Sequence, residues 1–521
     1  MSSSRFTRIK PNDDVIVALT AIEPGEKLDG ITVLEPIPKG HKIATRDIRR
    51  GEPVRKYATP IGLATKDIPT GSHVHLQNVG FDDSMFEAPQ IAVEHPPVPP
   101  VPDWAQGATF QGYRRRNGVG TQNVVALIST VNCSATVTNR AAELLRPELA
   151  KYPNVDDIVS VTHSTGCGVQ VHSPQHEQMA RCLANLGNHP NVHSHFYIGL
   201  GCEAGQFRLP GEPQLIQIET KLDQSRPERR TNYITLQDAG GSEAALDQIV
   251  KTVREWLPHV NEAKRESVSA SELILGMNCG GSDGFSGLTA NPLLGRLTDI
   301  LAGIGATSVL AETTETWGAH LPLVRRAANV EVGNKFLGFF DFWRRYMKAF
   351  TDLHGHPFTV DGNPSDGNKR GGITTIVEKS LGAAAKGGTT TLNAAYAYGE
   401  RIEPHKGFTF MDTPGLDQVS VSGLLCGGCN LIVFTTGRGS CLGTIVAPTY
   451  KVATNTEMFN RMNRDMDFNA GRILDGDDRE ELVRELFFDL LDVASGKKKT
   501  HSQRLGYGRY EFQLWDIGPT Y

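Results

Sequence analysis

Short apolar runs separated by polar and glycine-rich turns follow the whole chain, and their spacing changes near residue 110. Before that point, runs such as VIVAL, ITVLEPI and HKIATRDI are broken by Pro, Gly and Asp, which predicts a small β-rich domain. After it, apolar runs lead through glycine turns into amphipathic helical stretches, as DDIVSVTHSTGCG leads into QHEQMARCLANL. This alternation predicts an α/β region built on a parallel sheet with helices on both faces.

The same pattern divides the chain into segments. We predict a β-rich domain over residues 10–82, a proline-rich linker over 83–109, and an α/β catalytic region in two parts, 110–262 and 263–521. The linker rests on the segment MFEAPQIAVEHPPVPPVPDWAQGA, because such a density of proline favours an extended, semi-rigid connector.

Charge and composition narrow the class of partner. A formal net charge of −5 over 521 residues argues against broad nucleic-acid binding, which normally requires a basic surface. No window reaches the apolar length of a membrane span, and the N-terminal segment MSSSRFTRIKPNDD lacks the apolar core of a secretory signal. We therefore expect a cytoplasmic protein whose partner is a small molecule, and neither nucleic acid nor a membrane.

Three cysteines share one local pattern, a glycine-bracketed turn directly after an apolar run: Cys167 in HSTGCG, Cys202 in GLGCE and Cys279 in MNCGGSD. Glycine opens the backbone around a thiolate, which a simply packed cysteine does not need. Cys133 also follows a strand and is a fourth candidate. We expect these thiols to hold Fe²⁺ or an iron–sulfur cluster with an open iron, because structural zinc prefers paired C-x₂₋₄-C knuckles. The alternative for each is ordinary packing.

Acid–base candidates stand beside these turns. His163 ends a strand four residues before Cys167, where a neutral imidazole could act as a base or a ligand. Asp283 follows the Cys279 turn, and Glu312 ends the strand in TSVLAETTE. The open alternatives are a hydrogen-bonded structural histidine and carboxylates that cap the next helix.

Two glycine-rich loops resemble nucleotide sites but fail the required spacing or context. In GNPSDGNKRGG, Asn368 breaks the G-x-x-x-x-G-K spacing, and the G-x-G-x-x-A match in GLGCEA is not followed by a helix. What remains is a set of polar and basic side chains that suit a small carboxylate substrate, with ordinary solvated charge as the alternative. We therefore take as candidate substrate-binding residues Asn363, Lys369, Arg438 and Lys451.

A histidine pair in the β-rich domain adds a further candidate. His73 and His75 lie two apart in GSHVHLQN, so on a strand both side chains face the same side. They could bind metal or substrate, or they are surface histidines. The isolated C-x-x-C of Cys426 and Cys429 lacks a second knuckle, and a non-catalytic role is favoured for it.

Several segments, taken in order, resemble the altronate dehydratase and galactarate dehydratase family of sugar-acid hydro-lyases: HSTGCG, GLGCE, CGGSDGFSGLTANP, ETTE, GNPSDGNKRGG, TTGRG and VASGKKKT. The resemblance covers nearly the whole chain. It implies a SAF-like β-clip domain, a linker and a Rossmann-like catalytic region. It also implies an Fe²⁺-stimulated dehydration that gives a 2-keto-3-deoxy acid, and a homodimer.

Within the family, HVHLQN, ANPLLGR and GGITT resemble the altronate enzymes more than the galactarate enzymes, so D-altronate is the expected substrate and galactarate the alternative. A metal held by the glycine-flanked cysteines would coordinate the departing hydroxyl, while Lys369 and Arg438 would hold a carboxylate. The candidate catalytic residues are then His163, Lys369, Glu312 and Asp283. An NAD-linked oxidoreductase and a non-enzymatic carbohydrate-binding protein are the alternatives from other classes.

Overall fold

The computed structural model describes residues 5–203 and 230–517. The N-terminal part is built from short strands, which pair antiparallel in sheets of order β1-β2-β5-β8, β3-β4 and β6-β7-β9 around two small aliphatic cores. These strands are β1 Phe6–Thr7, β2 Val15–Ala18, β3 Lys27–Leu28, β4 Ile31–Thr32, β5 Lys42–Ala44, β6 Pro53–Lys56, β7 Thr59–Ala64, β8 His73–Val74 and β9 Val79–Gly80. The predicted β-rich domain is confirmed.

The proline-rich segment runs as an extended chain, apart from two short 3₁₀ turns at Asp83–Met85 and Asp103–Ala105. It lies along the C-terminal part of the molecule, where the main-chain N–H of Ala92 donates to the carbonyl of Val324 at 3.0 Å. Glu94 pairs with Arg325 at 2.6 Å. The linker is thus laid against a surface over part of its length.

The middle region combines a small antiparallel sheet of order β11-β10-β16 with a parallel sheet of order β13-β12-β14-β15. Its strands are β10 Thr109–Arg115, β11 Gly118–Gly120, β12 Val124–Ser129, β13 Asp157–Val161, β14 Val192–Gly199, β15 Thr231–Thr235 and β16 Glu266–Ser269. Its helices are α1 Ala135–Leu145, α2 Pro174–Gly187 and α3 Ser242–Val260.

In the C-terminal part, the described residues form a parallel sheet of seven strands in the order β19-β20-β18-β17-β21-β22-β23. The strands are β17 Ile274–Cys279, β18 Thr307–Leu310, β19 Ala394–Tyr396, β20 Gly407–Met411, β21 Leu431–Thr436, β22 Thr449–Ala453 and β23 Phe468–Asn469. The helices are α4 Ala290–Gly303, α5 His320–Arg325, α6 Val330–Lys348, α7 Asp366–Arg370, α8 Ile376–Ala384, α9 Asp417–Gly427, α10 Thr456–Arg461, α11 Arg472–Asp475, α12 Arg479–Ala494 and α13 His501–Leu505.

The central strands of this sheet are buried along their whole length, as parallel strands covered by helices on both faces must be. The predicted α/β fold with an N-terminal β-rich domain is therefore confirmed. Helix α6, which carries the aromatic run, buries Phe336, Phe340 and Trp343 in the large core. Among the residues that the structure describes, no helix combines the length and apolar character that crossing a membrane would require.

A buried group of charges joins the N-terminal domain to the C-terminal region. Glu378, on α8, pairs with Lys42 at 2.9 Å and with Lys56 at 2.8 Å. Lys42 also donates to the carbonyl of Gly372 at 2.6 Å. Although burial opposes ionisation, the two lysine charges hold the pKa of Glu378 at about 2.

Beside this group, the backbones of three segments touch without intervening side chains. The N–H of Gly284 donates to the carbonyl of Gly371 at 2.7 Å. A Cβ added to Gly284 or to Gly372, whose φ is +99°, would overlap the carbonyl oxygen of Gly40. Glycine is required at these positions because only hydrogen fits between the segments.

Replacement of Glu378 by glutamine should weaken the docking of the N-terminal domain. Two lysine charges would then be buried without a counter-charge, and breaking a buried pair in this way costs about 3–5 kcal/mol. We expect a lower midpoint in urea denaturation followed by circular dichroism. Glu481→Gln, which removes one exposed carboxylate 3.7 Å from Arg484, is the matched control and should stay within about 0.5 kcal/mol of the parent. Equal midpoints for Glu378→Gln and the parent would contradict this role.

Candidate functional site

The carboxyl ends of the central strands form a crevice where the strand order reverses. From β17 the chain proceeds to β18 on one side, whereas the neighbour on the other side is β21, from which the chain continues outward to β22. Such a switch point is where open α/β sheets bind ligands. The turns after β17 and β21 carry Gly280 and Arg438, and Glu312 follows β18.

A cleft of about 320 Å³ opens at this edge. Glycine backbone at positions 280, 281, 362 and 415 forms part of its wall. The polar and charged side chains that line it are Glu315, Asn363, Ser365, Asn368, Lys379 and Asp417. The cleft is therefore predominantly polar, and its side chains can fix the orientation of a polar ligand.

Lys379 and Glu315 form a buried ion pair inside the cleft. The ammonium group of Lys379 lies 2.7 Å from Oε1 of Glu315 and donates to Oδ1 of Asn363 at 3.0 Å. The amide of Asn363 donates to the same Glu315 oxygen at 3.0 Å. Against the effect of burial, the Glu315 charge raises the pKa of Lys379, so the lysine stays cationic.

Glu312 is buried close to Glu315 and adopts a strained backbone conformation, with φ at +73°. Its Oε2 accepts the N–H of Cys279 at 2.8 Å and lies 3.5 Å from Nζ of Lys386. Its Oε1 is buried without a hydrogen-bond partner among the described residues. Burial raises the pKa of Glu312, against the pull of Lys386. Strain of this kind in a non-glycine residue is concentrated at functional sites.

The thiol of Cys279 completes this buried group but does not resemble a metal ligand. Ligand atoms of Cys279, Glu312 and Glu315 lie within 4.8 Å of one another. The carboxylates of Glu315 and Glu312 are already paired with Lys379 and Lys386. A divalent cation would therefore add positive charge to a group that is already neutralised. Burial also raises the pKa of Cys279 to about 12, which keeps its thiol protonated. This donor set therefore does not fit a metal ion.

A second group, His41, His73 and His75, fits a metal better. Its ring nitrogens lie within 4.8 Å of one another, and Nδ1 of His41 is 2.9 Å from Nε2 of His73. Burial lowers the pKa of His73 to about 4 and that of His75 to about 3. All three histidines are therefore neutral near pH 7, as imidazole ligands of divalent transition metals must be.

The loop 362–374 connects the histidine group to the cleft. Asn363 and Ser365 line the cleft at one end of the loop. At the other end, the carbonyl of Arg370 lies 3.3 Å from Nε2 of His41, and Oγ1 of Thr374 lies 3.2 Å from Nδ1 of His75. Helix α7, which spans about 7.5 Å at 1.5 Å per residue, separates the two ends. The N-terminal domain thus contributes side chains beside a site built mainly by the C-terminal sheet.

The other candidate cysteines occupy the edge of a different sheet. Cys133, Cys167 and Cys202 follow β12, β13 and β14 of the middle region, and all three are exposed. Within the described ranges, none of them belongs to a group of three or more metal-binding side chains. Cys279 ends β17 of the seven-stranded sheet and is buried.

His163 is buried beside β12, and both of its ring nitrogens meet main-chain groups. Nε2 lies 3.0 Å from the carbonyl of Ser129, and Nδ1 accepts the N–H of Thr165 at 3.3 Å. Burial lowers the pKa of His163 to about 4. This geometry is that of a hydrogen-bonded structural histidine, which sequence reasoning left open as the alternative to a catalytic role.

The remaining candidates divide by exposure. Asp283 is buried and accepts hydrogen bonds from Ser286, Thr454 and Asn455, so it fixes the turn after β17. Lys451 is buried on β22, and its Nζ has no hydrogen-bond partner among the described residues. Lys369 is half-buried on α7, and Arg438 is exposed beside Gly281 at the rim of the cleft.

Sequence reasoning did not single out His41, Glu378, Lys379, Lys386 or Asp417. A signal for three of them stands in IVEKSLGAAAKGG, where Glu378, Lys379 and Lys386 interrupt a stretch of small and apolar residues. Charged side chains in such a stretch are buried with partners when it packs as a helix. His41 and Asp417 carried no comparable signal.

Three family models match the chain in sequence order. They are described as the altronate/galactarate dehydratase SAF domain over residues 4–82, the D-galactarate dehydratase/altronate hydrolase second domain over residues 112–261, and the D-galactarate/altronate dehydratase C-terminal domain over residues 270–520. The matches follow the order of the β-rich domain, the middle region and the seven-stranded sheet.

Individual proteins align along nearly the full length. The chain is 36% identical to altronate dehydratase of Bacillus subtilis, with 96% of each chain covered. It is 37% identical to galactarate dehydratase (L-threo-forming) of Escherichia coli, over 96% of this chain and 94% of that protein. Altronate dehydratase of Escherichia coli is 32% identical, over 95% of this chain and 96% of that protein.

The accessibility of the thiols predicts their reactivity. Cys133, Cys167, Cys202 and Cys441 are exposed and should react rapidly with a disulfide reagent in the native protein. The buried thiols, among them Cys279, should react only after denaturation, since the reagent cannot reach them, and burial also raises the pKa of Cys279 to about 12. Thiol titration of anaerobically purified protein, followed by peptide mass mapping, measures both sets. Protection of Cys133, Cys167 and Cys202 in the native protein would instead support a cysteine-bound iron centre.

Proposed function

The chain belongs to the altronate and galactarate dehydratase family, and we propose that it removes water from a sugar acid, D-altronate, to give a 2-keto-3-deoxy acid. The observation that carries this proposal is the polar cleft at the switch point of the seven-stranded sheet, with a buried Lys379–Glu315 pair inside it. The protein is accordingly a hydro-lyase. Galactarate is the alternative substrate, since relatives named for either acid are similarly close to this chain.

The chemistry accounts for the cations around the cleft. Removal of a proton beside a carboxylate leaves an enolate whose negative charge must be stabilised. Lys379 is cationic, is fixed by Glu315 and Asn363, and lies where it can face that charge. Arg438, at the rim, presents a guanidinium fork that binds the substrate carboxylate. A low-dielectric cleft strengthens both interactions.

We propose Fe²⁺ as the cofactor, held by His41, His73 and His75. Imidazole ligands suit this ion, and these rings are neutral at physiological pH. When bound, Fe²⁺ would supply Lewis acidity toward a substrate oxygen. The loop 362–374 places the histidines next to the cleft, so the N-terminal domain becomes part of the active site.

This assignment departs from the sequence-based hypothesis in two places. The histidines replace the glycine-flanked cysteines as metal ligands, because Cys279 lies in a neutralised buried group and the other three lie at the edge of another sheet. His163 receives no proton-transfer role, because main-chain groups engage both of its nitrogens. We retain Arg438 and Asn363 as substrate-binding residues.

A direct assay tests the function. Protein purified without oxygen and supplied with Fe²⁺ should convert D-altronate to a 2-keto-3-deoxy acid, detected by proton NMR or by absorbance of its semicarbazone. Galactarate and other aldonates, tested in parallel, identify the preferred acid. Failure to form a keto acid from every sugar acid in the screen would contradict the proposal. Reduction of NAD⁺ by the same acids would favour the oxidoreductase alternative.

Metal binding can be measured apart from turnover. Isothermal titration with Fe²⁺ under anaerobic conditions should give one site in the parent, and affinity should fall at least tenfold in the double variant His73→Ala, His75→Ala. His356→Ala, which removes an exposed histidine outside the group of His41, His73 and His75, is the control and should bind like the parent. Loss of Fe²⁺ binding in Cys279→Ser, with normal binding in the histidine variant, would contradict the histidine site and support cysteine ligands.

A further inference from the structure

We propose that Asp417 is the catalytic residue that carries the proton during dehydration, accepting it from carbon and delivering it to the departing hydroxyl. This inference rests on the proposed function, and it adds a residue to which sequence reasoning gave no role. It follows from the position of Asp417, from the bonding of its neighbours and from the charges that surround it.

Two features place Asp417 in the cleft: its position at the start of helix α9 and the absence of a side chain at Gly280. Asp417 is the first residue of α9, which follows β20, and it lines the cleft together with Glu315 and Lys379. Its carboxylate lies directly over Gly280, where an added Cβ would overlap the carboxylate oxygens. Any larger residue at position 280 would displace the carboxylate from the turn after β17.

The neighbouring ionisable groups are already engaged. Oε1 of Glu315 accepts from Lys379 and Asn363, and its Oε2 lies 3.8 Å from Sγ of Cys279. Nζ of Lys379 donates to both Glu315 and Asn363. Within the described part of the chain, no side-chain or main-chain donor bonds the Asp417 carboxylate, so it is available to a ligand.

The charges around Asp417 suit a group that both takes and gives a proton. Burial raises the pKa of Asp417 to about 7, and the Glu315 charge adds to this effect, whereas Lys379 and Lys386 oppose it. A group with a pKa near the operating pH transfers protons most effectively in both directions. Burial also raises the pKa of Glu312, but this side chain is 1% exposed and is not among the residues that line the cleft.

The atoms and electrons of the dehydration balance with Asp417 as the single proton carrier. The Asp417 carboxylate removes the proton from the carbon that bears the substrate carboxylate, and the C–H electron pair becomes the new C=C bond. The C–O bond of the neighbouring carbon breaks with its electron pair. The departing oxygen takes the proton from Asp417 and leaves as water, which restores the carboxylate. The enol that remains tautomerises to the 2-keto acid.

Asp417→Asn tests the assignment, since asparagine keeps the shape of the side chain but cannot accept the proton. With Fe²⁺ and D-altronate, or with whichever sugar acid the parent prefers, kcat should fall at least about 100-fold while KM changes little. Asp417→Glu should retain part of the activity. Because its carboxylate is displaced, it should also show a larger isotope effect on kcat with substrate deuterated at the carbon that loses its proton. Asp341→Asn, an exposed carboxylate on α6, is the control and should keep the parental kcat.

The outcomes separate this proposal from the one on which it rests. A parent enzyme that dehydrates no sugar acid would overturn both. An active parent together with an Asp417→Asn variant whose kcat lies within threefold of the parent would overturn the role of Asp417 alone. If Asp417→Asn fails to fold by circular dichroism, the Asp417→Glu isotope effect decides, and an unchanged value would overturn the assignment.

Discussion

The pairing of Glu378 with Lys42 and Lys56 is the constraint on which the site depends. Two lysines from the β-rich domain and a glutamate from α8 are removed from water together, and none of them tolerates burial without its partners. The pairing fixes the domain where His41 can reach the carbonyl of Arg370. Because the next residue along α8 is Lys379, the same helix that anchors the domain also supplies a cation to the cleft.

Charge compensation extends from that anchor into the cleft. Lys379 and Lys386 are paired with Glu315 and Glu312, so both cations are held in fixed positions inside the protein. Such an arrangement stabilises a developing negative charge without reorganising, because its partners are already oriented. Asp417 belongs to neither pair: among the described residues no donor bonds its carboxylate, whereas Glu312 and Glu315 both accept hydrogen bonds.

Sequence reasoning reached the fold because each apolar run and helical stretch carried its own local signal. It singled out Glu312 at the end of a strand and Asn363 and Arg438 in glycine-rich loops, and in the structure all three lie at one edge of the seven-stranded sheet. It could not decide which strand ends belong to the same sheet. Cys167 and Cys279 have similar glycine turns, yet they end strands of different sheets. Asp417 could not be found from sequence, because its environment comes from residues scattered over more than a hundred positions.

The extended proline-rich segment has a consequence for assembly. It connects the β-rich domain to the region against which that domain docks. It also contacts that region itself, through the hydrogen bond of Ala92 and the ion pair of Glu94. A short tether turns a bimolecular encounter into an intramolecular one, with an effective concentration in the millimolar range. The docked state can therefore dominate even if the two parts, severed, would attract each other only weakly. Cutting the chain in this segment would make completion of the active site depend on protein concentration.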